Sequence, residues 1–158
     1  MFVRGCGTVL LLLAAAYYSN YAQYKEKRIC KLLEELCGLF ASMQKNIECY
    51  TLPLVEICRL YSGEELENLG FFKAWQKGAF TEAMDTLSGI PETIQTSLHH
   101  YAIQAGKGDK ETELHLCRGI RQELEEALTV HTKEMQAKNK LYRTLPYLTV
   151  LSVVLLLT

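Results

Sequence analysis

Ile29-Cys30-Lys31-Leu32-Leu33-Glu34-Glu35-Leu36-Cys37-Gly38-Leu39-Phe40-Ala41-Ser42-Met43-Gln44-Lys45-Asn46-Ile47 decides the fold class. Its apolar residues Ile29, Leu32, Leu33, Leu36, Leu39, Phe40, Met43 and Ile47 recur three and four apart. That is the stripe of an amphipathic helix, not the alternation of a strand. The chain after it repeats the signal. Tyr50-Thr51-Leu52-Pro53 reads as a turn, with Thr51 a cap and Pro53 suited to the first turn of a helix carrying Leu54, Ile57 and Leu60, which Ser62-Gly63 ends. A third helix is predicted from Glu64 through Phe72 and Trp75 to Lys77, weakened by Gly70 and stopped by Gly78. Thr81 to Leu87 supplies a turn or two. Ser88-Gly89-Ile90-Pro91 breaks the chain and opens a helix burying Ile94, Leu98, Tyr101 and Ala105, which stops at Gly106. The last helix runs from Lys110 to about Leu145, and Pro146 kinks or restarts it.

Both ends of the chain have a different character. Gly5 to Tyr24 is a run of 20 residues without a charge, centred on Val9-Leu10-Leu11-Leu12-Leu13-Ala14-Ala15-Ala16. Twenty helical residues reach about 30 Å, the hydrocarbon thickness of a bilayer. Arg4 and Ala14-Ala15-Ala16 also have the form of a cleavable signal. However, the apolar character continues through Tyr17, Tyr18, Tyr21 and Tyr24, as in an uncleaved anchor with aromatic residues at the interface. Thr144 to Thr158 is a second uncharged run, 15 residues long. Leu141, Tyr142 and a snorkelling Arg143 bring it near the lower limit for crossing.

Charge sets the orientation. Lys25, Lys27, Arg28 and Lys31 follow the first run, and Lys133, Lys138, Lys140 and Arg143 precede the second. Residues 32–132 carry eight basic and sixteen acidic residues, a net of −8. Lysine and arginine beside membrane segments mark the cytoplasmic side, and both collars suit anionic lipid. The expected architecture is therefore all-α. A cytoplasmic bundle of about five to six helices at residues 25–143 lies between an N-terminal transmembrane helix at 5–24 and a C-terminal one at 141–158.

The residues do not assemble a chemistry. Six cysteines, Cys6, Cys30, Cys37, Cys49, Cys58 and Cys117, form no Cys-x-x-Cys pair, and together with His99, His100, His115 and His131 they lack zinc-ligand spacing. Buried reduced thiols are the ordinary reading. Gly106-Lys107-Gly108-Asp109 lacks the first glycine and the Ser or Thr of a phosphate loop, so Gly106 is read as a helix stop and Asp109 as a cap. Glutamate pairs such as Glu34-Glu35 read as solvated faces, and an acidic centre disfavours nucleic acid. No catalytic residue, cofactor or metal is expected. A membrane-bound metal enzyme built on His99, His100 and Glu92 is the contrary reading, and metal analysis decides it.

Arg121 and His131 are unusual on the last helix's seam of Leu114, Cys117, Leu124, Leu128 and Met135. Either they lie at its margin with their charged ends in water, or they meet a partner helix or a second copy of the chain. With Gly106, Lys107, Gly108 and Asp109 they make up the candidate partner-binding set.

Three stretches resemble the stage III sporulation protein AB family of endospore-forming bacteria. One is Arg28, Lys31 and Leu32 leading to Ile47 and Pro53-Leu54, and another is Tyr101 through Asp109. The third is Lys138-Asn139-Lys140-Leu141-Tyr142-Arg143-Thr144-Leu145 before a terminal apolar helix. The chain departs from the family pattern where Asn46 and Cys49 replace Glu and Tyr, where Ala102 replaces a common glycine, and at Leu145-Pro146. The resemblance implies a bundle like the cytoplasmic domain of the type II secretion platform protein F. It also implies a place on the mother-cell side of the outer forespore membrane, in a channel complex linking mother cell and forespore. The implied partners are an ATPase like stage III sporulation protein AA and the other stage III sporulation membrane proteins. A platform module of a pilus or secretion system outside sporulation is the alternative, and gene context separates the two.

Overall fold

In the computed structural model the described backbone covers residues 2–49, 53–77 and 80–157. The side chains described exclude 2–12, 15, 54, 55, 58, 140–147, 149–151 and 153–157. Among the described residues there are seven helices and no strand. They are α1 (Phe2–Cys49), α2 (Leu54–Leu60), α3 (Glu64–Asn68), α4 (Phe71–Lys77), α5 (Phe80–Asp85), α6 (Glu92–Gln104) and α7 (Lys110–Leu157). The chain separates into two units, Ile29–Val130 on one hand and Met1–Arg28 with His131–Thr158 on the other. Both long helices contribute to each unit.

The unit Ile29–Val130 is built on the stripe of α1. Leu33, Leu36, Leu39, Phe40 and Met43 are wholly buried. α4 and α5 cover them with Phe71, Trp75, Phe80 and Met84, α6 with Leu98 and Tyr101, and α7 with Cys117, Ile120 and Leu124. The aromatic rings meet edge to face or tilted: Phe40 on Tyr101 at 5.0 Å, Tyr101 on Phe80 at 5.8 Å, and Phe80 on Trp75 at 4.3 Å. Such pairs contribute about 0.5–1.5 kcal/mol each beyond the area they bury. α6 buries Ala102 in place of the expected Ala105, which is only half-buried.

Three local expectations are corrected. The helix predicted from Glu64 to Lys77 is two helices, because Gly70 adopts φ +77° and a left-handed residue ends a helix. The break lets α4 turn Phe71 and Trp75 inward. α7 does not stop near Leu145 and continues through Pro146 to Leu157, since a proline removes one hydrogen bond of the ladder and its neighbours hold the rest. Glu35 is not on a solvated face; it is half-buried and binds backbone amides, as the buried Glu113 does elsewhere. Pro53 and Pro91 stand at the N-caps of α2 and α6, and Pro91 accepts the Gln95 amide at 3.0 Å. The predicted cap Thr51 and stop Gly78 lie outside the described residues.

Among the described residues no helix is long and apolar enough to cross a membrane. Much of the predicted spans 5–24 and 141–158 lies outside the described side chains.

Candidate functional site

The loop between α6 and α7 is the predicted turn, and its geometry explains its sequence. Gly106 takes φ +77°, a backbone open to glycine at little cost. Its amide donates to Glu113 Oε1 at 2.6 Å, and the Gly108 amide reaches the same oxygen at 3.4 Å. Asp109 Oδ1 accepts the Thr112 amide at 3.0 Å, and the Thr112 side chain, together with that amide, holds its carboxyl below the usual carboxylate range. Gly106, Lys107, Gly108 and Asp109 are all exposed. The turn is thus pinned from beneath by a buried carboxylate and presented to solvent, with Lys107 at its tip. Sequence reading identified the cap but not Glu113, which follows Asp109 by four residues and resembles any surface glutamate of a helix.

Beside the turn, α6 and α7 enclose an open groove of about 380 Å³. His100 and Tyr101 line one wall, and His115, Gly119, Ile120 and Glu123 line the other. A Cβ added at Gly119 would meet nothing within 4 Å, so the groove wall at α7 is open there. Ile103, one turn beyond His100 on α6, is 55% exposed. The turn, the groove and the exposed Ile103 all belong to the α6–α7 hairpin.

Arg121 does not line that groove. Arg121 Nη1 donates to Gln44 Oε1 of α1 at 3.1 Å, and its Nε donates to Glu125 Oε1 at 2.8 Å. Neighbouring ties run the same way. Arg118 donates to Glu48 Oε1 and Lys110 to the Glu48 carbonyl, both at 2.8 Å, and the buried Cys117 thiol donates to the Phe40 carbonyl at 3.3 Å. Arg121 therefore braces α7 against α1 while its side chain stays partly exposed.

In the other unit, His131 Nε2 lies 2.9 Å from Glu26 Oε2. Lys138 Nζ donates to Glu26 Oε1 at 3.2 Å. Glu26 thus sits between two basic residues of α7.

The basic flanks divide by structure. Lys138 is turned to Glu26, and Lys31 pairs with Glu64 at the start of α3. The Glu64 carboxylate holds the Lys31 ammonium above its ordinary value. Lys25, Lys27 and Arg28 are exposed. The Lys140 and Arg143 side chains lie outside the described residues.

The histidines proposed for a metal site do not converge. His99 Nε2 contacts Asp85 at 3.2 Å, and His100 Nε2 contacts Gln104 at 3.2 Å. The Glu92 carbonyl accepts the Thr96 hydroxyl at 2.9 Å. Among the described residues no group of three His, Cys, Asp or Glu side chains could hold a metal ion.

Compared with known proteins, residues 4–158 match the family described as stage III sporulation protein AB. No curated protein and no solved structure matches the chain.

Proposed function

The chain belongs to the stage III sporulation protein AB family, which gives it a role in sporulation, and we propose that this role is that of a membrane-anchored platform. In this reading the apolar runs at 5–24 and 141–158 hold it in the membrane, with the bundle on the cytoplasmic, mother-cell side of the outer forespore membrane. The bundle acts as a scaffold, not an enzyme. It docks a secretion-type ATPase like stage III sporulation protein AA and belongs, with the other stage III sporulation membrane proteins, to a channel between mother cell and forespore.

The observation that supports docking is the α6–α7 hairpin. Its exposed turn is held in one conformation by Glu113, with the groove and the exposed Ile103 beside it. A pre-organised surface with an apolar anchor loses little conformational entropy when a partner binds. Most other polar side chains of the bundle described above cap helices or brace α7 to α1, which suits a scaffold.

Deletion of the gene in its host, scored for spore formation beside a complemented strain, tests the role. A block after engulfment begins, reversed by the wild-type gene, is the expected result. Complementation with Ile103→Asp and Lys107→Glu together should fail while the protein still accumulates, and recovery of the ATPase with it should fall at least tenfold. Normal heat-resistant spores in the deletion strain would remove the proposed channel role.

A further inference from the structure

Gly119 stands in the interior of α7, where glycine is a poor helix residue. The other described glycines have a reason within the chain. Gly70, Gly89 and Gly106 take a positive φ. A Cβ at Gly38, Gly63 or Gly108 would come to 3.0 Å or closer of Tyr61, Glu35 or Thr112 respectively. Gly119 has neither reason: it is helical, and a Cβ there would meet nothing within 4 Å. What its missing side chain leaves open is the groove between α6 and α7.

That groove has an apolar floor and an acidic end. The buried Tyr101 and Ile120 and the half-buried Leu116 supply the floor. Glu123, exposed, lines it one turn beyond Gly119. On α6 the exposed Glu92 comes one turn before Thr96, which lines the groove, and so shares its side of the helix. The short loop 105–109 makes α6 and α7 antiparallel, which brings Glu92 and Glu123 to the same end of the groove, away from the turn. Among the described residues neither carboxylate is in an ion pair, since Arg118 is turned to Glu48 and Arg121 to Glu125.

We propose that the groove receives a cationic amphipathic segment of a partner protein. An apolar side chain of that segment occupies the space at Gly119, and a lysine or arginine beside it faces Glu92 and Glu123. This deepens the docking reading given above, on which it rests, by naming the chemistry that the hairpin recognises. An apolar group at Gly119 covers Leu116 and Ile120 and takes their remaining exposed area from water. Opposite charge at one end of the groove fixes which way the segment lies. The net charge of −8 over residues 32–132 extends the attraction beyond the groove itself. A second copy of the chain offering the same groove would set carboxylates against carboxylates, so charge selects a different partner.

The test places a photo-cross-linking amino acid in the full chain at Thr96, at His115 and, as a control on another helix, at Lys73 of α4. Sporulating cells of the host are irradiated, and the cross-linked peptides are identified by mass spectrometry. Positions 96 and 115 should both join one segment of one partner, with apolar residues three and four apart and more lysine and arginine than aspartate and glutamate. Position 73 should not. Gly119→Leu should lower the yield about tenfold or more, as should Glu92→Lys combined with Glu123→Lys. Gly119→Leu should also keep or raise the melting temperature, because leucine is the better helix former and has room, so its lost cross-link is not a lost fold. A cross-linked segment without excess positive charge, or yields unmoved by Gly119→Leu, would overturn the proposal and leave the hairpin as a docking surface. Cross-links to a second copy of the chain would overturn it in favour of self-association. Yields at 96 and 115 no higher than at 73 would overturn the docking reading as well.

Discussion

Glu35, in the middle of α1, caps α3: its Oε2 accepts the backbone amide of Leu66 at 3.0 Å, and the Glu65 amide lies 2.9 Å from the same oxygen. α3 has only Gly63 at its own N-cap, with no side chain to bind those amides. A Cβ at position 63 would come within 2.6 Å of Glu35 Oε2, so the glycine is what admits the carboxylate. Tyr61 closes the arrangement by donating its hydroxyl to the Glu35 carbonyl at 2.7 Å. A helix of five residues cannot hold itself, and this one is held by a side chain about thirty positions away.

Glu35→Ala should therefore cost about 2 kcal/mol, the upper end for loss of a cap, because two amides lose their acceptor. Glu35→Gln keeps an oxygen in place and should restore about half of that. Thermal unfolding of the full chain in detergent reads both. Equal loss in the two variants would show that packing, not the amide bonds, holds the junction.

Tyr101 gives the opposite sign. Its ring is buried between Phe40 and Phe80, and its buried hydroxyl has no hydrogen-bond partner among the described residues. Burial pushes the phenol far above its ordinary value. Tyr101→Phe removes the unsatisfied group and leaves the ring packing, so stability should rise by about 1 kcal/mol. A loss of stability in the same unfolding measurement would mean that the hydroxyl is bonded in solution.

The half-buried Cys37 and the buried Cys117 make the protein sensitive to alkali. Burial is the main cause that pushes Cys37 up to about 11 and Cys117 up to about 12. A folded-state value above the unfolded one gives stability that is fully present below the ordinary thiol range. That stability is lost as pH rises through the folded values. Urea unfolding should be flat in this contribution up to about pH 8 and weaken above about pH 9, where unfolded thiols ionise first. Cys117→Ala should flatten part of the decline. At pH about 8, alkylation should reach the exposed Cys49 well before Cys37 or Cys117. Equal labelling rates would contradict the burial.

Arg121 separates bracing from docking. Its guanidinium joins Gln44 to Glu125, and its side chain is 39% exposed, so Arg121→Ala should cost under about 1 kcal/mol. Because it faces α1, the substitution should leave recovery of a partner unchanged, whereas Lys107→Glu at the exposed turn should reduce it. Co-purification from sporulating cells measures both. A loss of partner confined to Arg121→Ala would move the docking surface to the α1–α7 seam.

Which of these features a reader of the sequence could have found depends on how far the interaction reaches. The stripe on α1, the seam of α7 and the turn at 106–109 were legible because their patterns repeat every three or four residues, or close within one helical turn. Asp109 was readable as a cap since its recipient, Thr112, is three positions on. Glu35, by contrast, looks like any glutamate of an exposed face, and nothing near it in sequence announces the amides it binds. Arg121 was conspicuous, but its partner Gln44 was not. Gly70 was noted as a weak point in one helix, while the two-helix outcome depended on α4 turning Phe71 and Trp75 into the core.

The sequence by itself determined the helical class, most of the helix order, the acidic centre with basic flanks, and the family. Each follows from local periodicity, composition or motif. Tertiary structure alone decided which carboxylates cap and which are solvated, which lysines are tied to glutamates, and how α1 and α7 register. Those are set by side chains and amides that meet only when the chain folds, and a buried amide or charge must find its partner wherever packing brings one.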